Sequence, residues 1–499
     1  MLYSLLTSFF LAYSSFSISL TENIGELINA QFKVAVDFIA IFFFYKPFES
    51  IGFEMPLVVM WLVLGAVFFT IYMGFINLHG FKHGIDLVRG LYDKPEDKGE
   101  VSSFQALVTA LSGTVGLGNI AGVAVAISIG GAGATFWMIL AGFLGMSSKF
   151  VECTLGVKYR KINDKGEVSG GPMYYLSEGL ERKGFKIFGK ILAVIFSILT
   201  IGGSFGGGNM FQANQSFAQL ANVFPAFANS GFLYGLVLSL LVGVVIIGGI
   251  KSIVQVTDKI VPFMIALYVI TSLIVIGLNI SHIGEAFRAI IDGAFVADGI
   301  KGGIIGVLVV GFQRASFSNE AGIGSASIAH STAKTNEPIS EGFVSLLEPF
   351  IDTIVICSMT ALVLIFTGFA ADPQGREGAA LTSAAFSSIF PWFRYLLLIA
   401  IILFAFSTMV SWSYYGMKSW TYLFGNTKKM ETVYKVIFLV FVVIGSSASL
   451  GAVIDFSDMM ILGMAFPNIM GLFFLSGEIR QDLKNYLAKL KSGEIVKHK

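Results

Sequence analysis

Ser112-Gly113-Thr114-Val115-Gly116-Leu117-Gly118-Asn119 sits in the middle of an apolar run of membrane length, from about Ser103 to Gly130. Three glycines and several polar side chains at that depth are costly if the run is one plain helix in lipid. An unwound stretch leaves backbone N–H and C=O groups unpaired, which the bilayer tolerates only where protein or a cavity receives them. A helix broken at its centre is therefore a pointer to a binding site for a crossing solute, and the rest of the chain bears on whether such a site exists.

The composition is that of a polytopic membrane protein: 55% of residues are hydrophobic, 14% aromatic and 13% charged, and the mean hydropathy is +0.78. Eleven apolar stretches of spanning length can be counted, near 56–78, 103–129, 133–156, 188–220, 232–250, 258–280, 302–333, 342–370, 391–422, 432–451 and 456–477. One alternate set of loops, with the C-terminal tail, carries 25 of the 33 basic residues and the other set carries six. Cytoplasmic loops are the basic ones. The C-terminus is thus expected in the cytoplasm, residues 478–499 forming a cytoplasmic tail, and the N-terminus outside. The expected location is the bacterial inner (plasma) membrane.

That orientation requires residues 1–55 to lie on the outer side. Met1–Leu20 reads either as a signal sequence or as an interfacial helix, and Phe38–Tyr45 is too short to cross alone. The loop 79–102 reads as a solvated linker, whereas Lys158–Lys190 contains Gly170-Gly171-Pro172-Met173-Tyr174-Tyr175, a turn leading into an amphipathic cytoplasmic helix. Cys153 and Cys357 fall in apolar runs, so no disulfide framework is expected. His79 and His83 share a helical spacing, but in a charged loop a solvated role is preferred over metal binding.

After the leading span 56–78, ten spans divide into two sets of five, 103–280 and 302–477. Five is odd, so the second set must lie inverted relative to the first. Inversion predicts a second broken helix opening the second half, and the seventh stretch supplies one: an apolar run from Gly302 is interrupted by Gln313-Arg314-Ala315-Ser316-Phe317-Ser318-Asn319-Glu320. The expected architecture is all-α, a 5+5 inverted repeat with one extra leading span.

Gly113–Gly122, Gly170–Tyr175, Phe317-Ser318-Asn319-Glu320-Ala321-Gly322 and Ser411-Trp412-Ser413-Tyr414-Tyr415-Gly416 resemble, in order, the signature segments of the alanine or glycine:cation symporter family, the likeness running from about Pro56 to Gly477. The resemblance implies a leucine-transporter-type fold, with substrate and sodium held between the two broken spans and the third and eighth spans of the repeat. It also implies a sodium site built from two carbonyls three residues apart at the first break, here Ser112 and Val115, and from adjacent hydroxyls on the eighth span, here Ser407 and Thr408, with the Phe404 carbonyl as a further oxygen. Sodium is then the coupling ion, and no organic cofactor is expected.

The physical chemistry of the first break agrees with such a cargo. A crossing amino acid presents a carboxylate, and the free N–H groups at the start of a half-helix match it without a basic side chain. Gly116 and Gly118 allow close approach, and Thr114, Leu117 and Asn119 share the break; Gly122, Gly130, Gly131 and Gly133 read as packing glycines. On the third span of the repeat Asn209 and Gln212 share one face, one of them to touch substrate rather than a neighbouring helix. Phe317 and Trp412 are expected to wall the side-chain pocket, and Ser318 and Asn319 to line the second break.

Ionisable residues at membrane depth are functional candidates. Lys149 and Glu152 read as an ion pair snorkelling near the end of their span, and Arg314 as the structural partner of Glu320 or Glu348. A channel would need rings of carbonyls or charges, and the chain has no HExxH or Walker sequence for an enzyme. The reading is a sodium-coupled symporter importing alanine and/or glycine by alternating access around 112–119 and 313–320. Its alternatives are a proton-coupled amino-acid transporter of the same fold and, behind it, a channel. The partners expected are a small neutral amino acid, sodium and membrane lipid, with no nucleic acid and a monomeric state.

Overall fold

Ser102 opens the decisive helix with a reciprocal cap: its hydroxyl accepts from Gln105 N, and the Gln105 side chain accepts from Ser102 N. From there α3 runs Ser103–Thr114, and after a break of three residues α4 runs Gly118–Gly130, the two halves bent by 50°. The computed structural model describes residues 44–51, 54–94, 96–295, 303–371 and 375–497. The expectations for Met1–Leu20 and for the run ending at Tyr45 lie almost wholly outside those residues.

Before the broken helix come α1 (Leu57–Tyr72) and α2 (Phe81–Val88). After it come α5 (Ala134–Lys158), a two-residue antiparallel hairpin in which Lys161 pairs with Ser169, α6 (172–182) and α7 (Lys186–Val223). Then follow α8 (Gly231–Ile247), α9 (Gly249–Leu278), α10 (Ile283–Phe295) and α11 (Gly303–Asn319). The remainder is α12 (Ala326–His330), α13 (Pro338–Phe366), α14 (Gly378–Ile389), α15 (Phe393–Phe424), α16 (Lys428–Ser447) and α17 (Leu450–Ser492). Among the described residues seven helices are long and apolar enough to cross a membrane, or eight if the bent pair is one span. Helices α1 and α8 are apolar but shorter.

Burial separates an inner from an outer set of helices. Helices α15 and α17 are 72% buried over their most apolar windows, whereas α16 is 28% buried. On α8 a continuous apolar face of Leu233, Leu236, Leu240, Val244 and Ile247 stays exposed, which suits contact with acyl chains rather than water. Helix α15 packs against α3, α7 and α9, and α5 packs against α11 and α13.

Several boundaries differ from the sequence expectation. The polar segment 313–319 remains helical; the second break falls at residues 320–325, where Glu320, Gly322 and Gly324 take left-handed backbone. The chain turns where glycine permits positive φ rather than where it becomes polar. The helix after α8 begins at Gly249 rather than near residue 258. The 79–102 linker is partly structured: α2 lies against Phe343, and Val101 bridges to Ala333 beyond the second break. Helix α14, unforeseen in the sequence, folds back over the first break, with Thr382 Oγ1 donating to the Ile120 carbonyl. Cys153 and Cys357 are free and buried.

Candidate functional site

The first break lies against the last helical turns of the second broken span, at Phe317 and Ser318. At that break Gly116 N donates to Asn119 Oδ1 (2.9 Å) and Leu117 N to Gln212 Oε1 (3.1 Å), so two of the N–H groups freed by unwinding are capped by neutral side chains. Helix α4 starts as a π-turn over Gly118–Gly122, in which the Leu117 carbonyl accepts from both Ala121 N and Gly122 N. A Cβ at Gly118 would meet Ser318 Cα at 3.4 Å and Phe317 Cδ1 at 3.5 Å, so the position faces the second broken span. At Gly116 it would collide with Thr408 Oγ1. Gly122 has nothing within 4 Å of that position and Gly133 would strike the backbone of Gly293, so of these two only Gly133 is a packing contact.

Two further π-turns border the site, at Gly206–Met210 in α7 and Phe350–Cys357 in α13. Such turns leave carbonyls free and re-aim side chains. Gln212 uses the first, donating through Nε2 to the Gly207 carbonyl (2.8 Å), which holds its Oε1 toward Leu117. Asn209 instead donates to the Phe438 carbonyl of α16 (2.7 Å), an interhelical bond that ties its amide nitrogen away from the break. Of the two amides, the structure therefore sets Gln212 at the break.

Phe317 and Trp412 lie along the glycine run of α7: a Cβ on Gly208 would collide with Trp412, and one on Gly207 would collide with Ile461 and come within 3.1 Å of the Phe317 ring. Trp412 Nε1 donates to Glu320 Oε1 (2.9 Å), and Ser325 Oγ donates to the other oxygen of Glu320. Asn319 is spent on local order, its Nδ2 on Thr353 Oγ1 (2.9 Å) and its Oδ1 on Ala321 N (2.9 Å). Thr114 Oγ1 faces the carbonyls of its own preceding turn.

Of the residues expected to hold sodium, Ser112 lies against Ser407 where α3 meets α15. Ser112 Oγ donates to the Ser407 carbonyl (2.8 Å), and Val115 closes α3 as its last donor, to the Leu111 carbonyl (2.7 Å). Ser407 Oγ donates to the Phe404 carbonyl of its own helix (3.1 Å). Thr408 Oγ1 is buried and, among the described residues, has no hydrogen-bond partner. An orphaned buried oxygen beside an unwound helix is the kind of group a bare cation satisfies.

The ionisable groups depart from expectation. Arg314 pairs with Asp458 on α17, not with Glu320 or Glu348, and lies over the Phe317 ring at 5.3 Å. Lys149 does not snorkel: its ammonium is fully buried, 3.2 Å from Glu348 and 3.8 Å from Glu152. His330 extends that cluster, with Nδ1 2.7 Å from Glu341 and Nε2 3.4 Å from Glu348. Outside the spans, His83 is held by Tyr486 Oη (2.8 Å), and burial pushes its pKa below the usual histidine range.

Asp352 escaped the sequence reading. Its carboxylate is fully buried and accepts from Asn119 Nδ2 (2.6 Å), Ser318 Oγ (2.8 Å) and Thr353 Oγ1 (2.7 Å). It thereby bridges both broken spans. A lone acid inside the apolar run Phe350–Cys357 was the signal that could have found it.

Two discontinuous helices meeting at a buried polar centre inside a bundle of long apolar helices are the architecture of a membrane transporter. The solved structure of MhsT in complex with L-phenylalanine matches with a TM-score of 0.53 at 17% identity, covering 76% of this chain and 89% of that one; the shared fold is of the leucine-transporter type. The chain matches the model of the sodium:alanine symporter family over residues 42–499 and belongs to that family. It is a family of transporters, not enzymes. The sodium/alanine symporter AgcS of Methanococcus maripaludis is 40% identical over 429 residues, 85% of this chain and 93% of its own length. The amino-acid carrier protein AlsT of Bacillus subtilis is 35% identical over 430 residues, 86% of this chain and 89% of its own.

Proposed function

We propose that this protein imports alanine and/or glycine across the plasma membrane together with sodium, alternately exposing the site between the two breaks to either side. The observation that carries the sodium assignment is the approach of Thr408 Oγ1, buried and unpartnered, to the first break at Gly116. Sodium lies between the Ser112 and Val115 carbonyls and the oxygens of Phe404, Ser407 and Thr408. Ser407 needs only a hydroxyl rotation, away from its own helix, to turn its lone pairs inward.

The amino acid occupies the space beside Gly116, Leu117 and Gly118, its carboxylate taking over the Leu117 N–H that Gln212 now caps. Phe317 and Trp412 limit the side chain to a methyl group or a hydrogen. In this reading α1, α8 and α11 also cross, giving eleven spans in a leading helix and two inverted sets of five, with the C-terminus in the cytoplasm.

The test is uptake into proteoliposomes. An inward sodium gradient should drive accumulation of radiolabelled alanine or glycine, and unlabelled substrate inside should drive counterflow. Equal uptake in sodium-free buffer under a proton gradient alone would favour the proton-coupled alternative.

A further inference from the structure

Both broken spans are held to one carboxylate. Asn119, which caps Gly116 at the first break through Oδ1, is oriented through its Nδ2 by Asp352. Ser318, on the second broken span, donates to the other oxygen of the same side chain, as does Thr353. These donors are neutral, and among the described residues Asp352 forms no ion pair. A buried carboxylate without a cationic partner is costly unless it takes up a proton or a positive charge arrives.

The cargo brings that charge. A neutral amino acid is a zwitterion with no net charge, so loading it with one sodium adds a single positive charge to a water-poor site. From Asp352 the chain of contacts runs through the Asn119 amide and Gly116 to Thr408, a short path in a medium that screens poorly. Arg314, the basic side chain on the second broken span, is already neutralised by Asp458, and Lys149 by Glu348 and Glu152.

We propose that Asp352 is the counter-charge of the coupling cation and a positioning residue for both breaks: it favours sodium at Ser407 and Thr408 electrostatically, without touching it, and aligns Asn119 and Ser318 for the loaded state. This rests on the sodium-coupled reading of the site. With sodium in place its charge and that of Asp352 cancel, and a paired charge is the form a low-dielectric interior permits to close.

The experiment compares sodium affinity in the purified full chain, read from intrinsic tryptophan fluorescence, with alanine affinity at saturating sodium. Asp352→Asn keeps the shape and can still accept from Asn119. It should weaken sodium binding tenfold or more, while alanine affinity at saturating sodium and the thermal midpoint stay near wild type. Asp352→Glu should recover part of the sodium affinity. Thr353→Val removes one donor to Asp352 but keeps the charge, so sodium binding should stay within about threefold of wild type. Wild-type sodium affinity in Asp352→Asn, or an equal loss in Thr353→Val, would overturn the counter-charge role. If the wild-type chain binds no sodium at all, it is the symport reading that fails, and this outcome is distinct from both.

Discussion

Thr408 stands over Gly116 with no room for a methyl group between them. The contact joins α15 to the break between α3 and α4, and it places an unpartnered hydroxyl against backbone that has left the helix. Close approach of this kind is what glycine supplies. Gly116→Ala would strike Thr408 Oγ1 and come within 3.2 Å of Gln212 Oε1, so it should abolish sodium-stimulated uptake. Size-exclusion profile and helical content should stay near wild type, and retained uptake would show that the two residues separate in the working protein.

Replacing both hydroxyls, Ser407→Ala with Thr408→Ala, removes two of the five oxygens assigned to sodium. Treating each as comparable to a hydrogen bond to a charged group, roughly 1.5–3 kcal/mol, the sodium dissociation constant should rise by about a hundredfold or more. Unchanged sodium dependence of alanine uptake would sink the assignment.

Gly118 and Gly122 separate a glycine needed for close approach from one that faces open space. Valine at 118 adds three carbons, the first of which would already touch Ser318 and Phe317, at 3.4 and 3.5 Å. Gly118→Val should therefore abolish alanine binding with expression near normal. Gly122→Ala meets open space, so it should leave uptake intact and change stability by about 1 kcal/mol or less, in the favourable direction expected of alanine in a helix. Normal alanine binding by Gly118→Val would move the carboxylate elsewhere.

Arg314 and Asp458 form a nearly buried pair, their side chains 7% and 15% exposed. Removing one partner of such a pair costs roughly 3 kcal/mol. Arg314→Gln should thus lower the thermal midpoint and be partly rescued by Asp458→Asn in the same chain. Loss of alanine binding with stability and sodium affinity intact would instead make Arg314 the carboxylate ligand.

Topology is open to chemical labelling, because both native cysteines are buried. A cysteine at exposed Glu377 should react with an impermeant thiol reagent added to intact cells, and one at exposed Lys165 should not. The reverse pattern would invert the proposed orientation.

The first break was legible because its glycines and its polar side chains coincide at 113–119. At the second they do not. Polar residues occupy 313–319, but an α-helix accommodates Ser318 and Asn319 once partners on α13 receive them, and the backbone leaves the helix only at Glu320. Helix α14 was invisible for another reason: its 12 residues are too few for a span, and small side chains such as Ala379 and Ser383 gain meaning only against the surface they cover. Which of Asn209 and Gln212 turns inward depends on the π-turn of α7, and side-chain chemistry does not announce a π-turn. The partners of Arg314 and Lys149 are long-range facts that spacing along one helix could not give.

Lys149 also constrains how the chain is made. Its ammonium is paired within α5 only at 3.8 Å from Glu152, and its nearer partner, Glu348, is encoded roughly 200 residues later. At about 5–20 residues per second of synthesis, some ten to forty seconds pass between the two reaching the bilayer. For that interval α5 carries an incompletely matched charge that acyl chains will not receive. The insertion machinery, or the half-built first repeat, must shelter it until α13 arrives, so biogenesis ends in a late docking step between helices rather than in the insertion of independent segments.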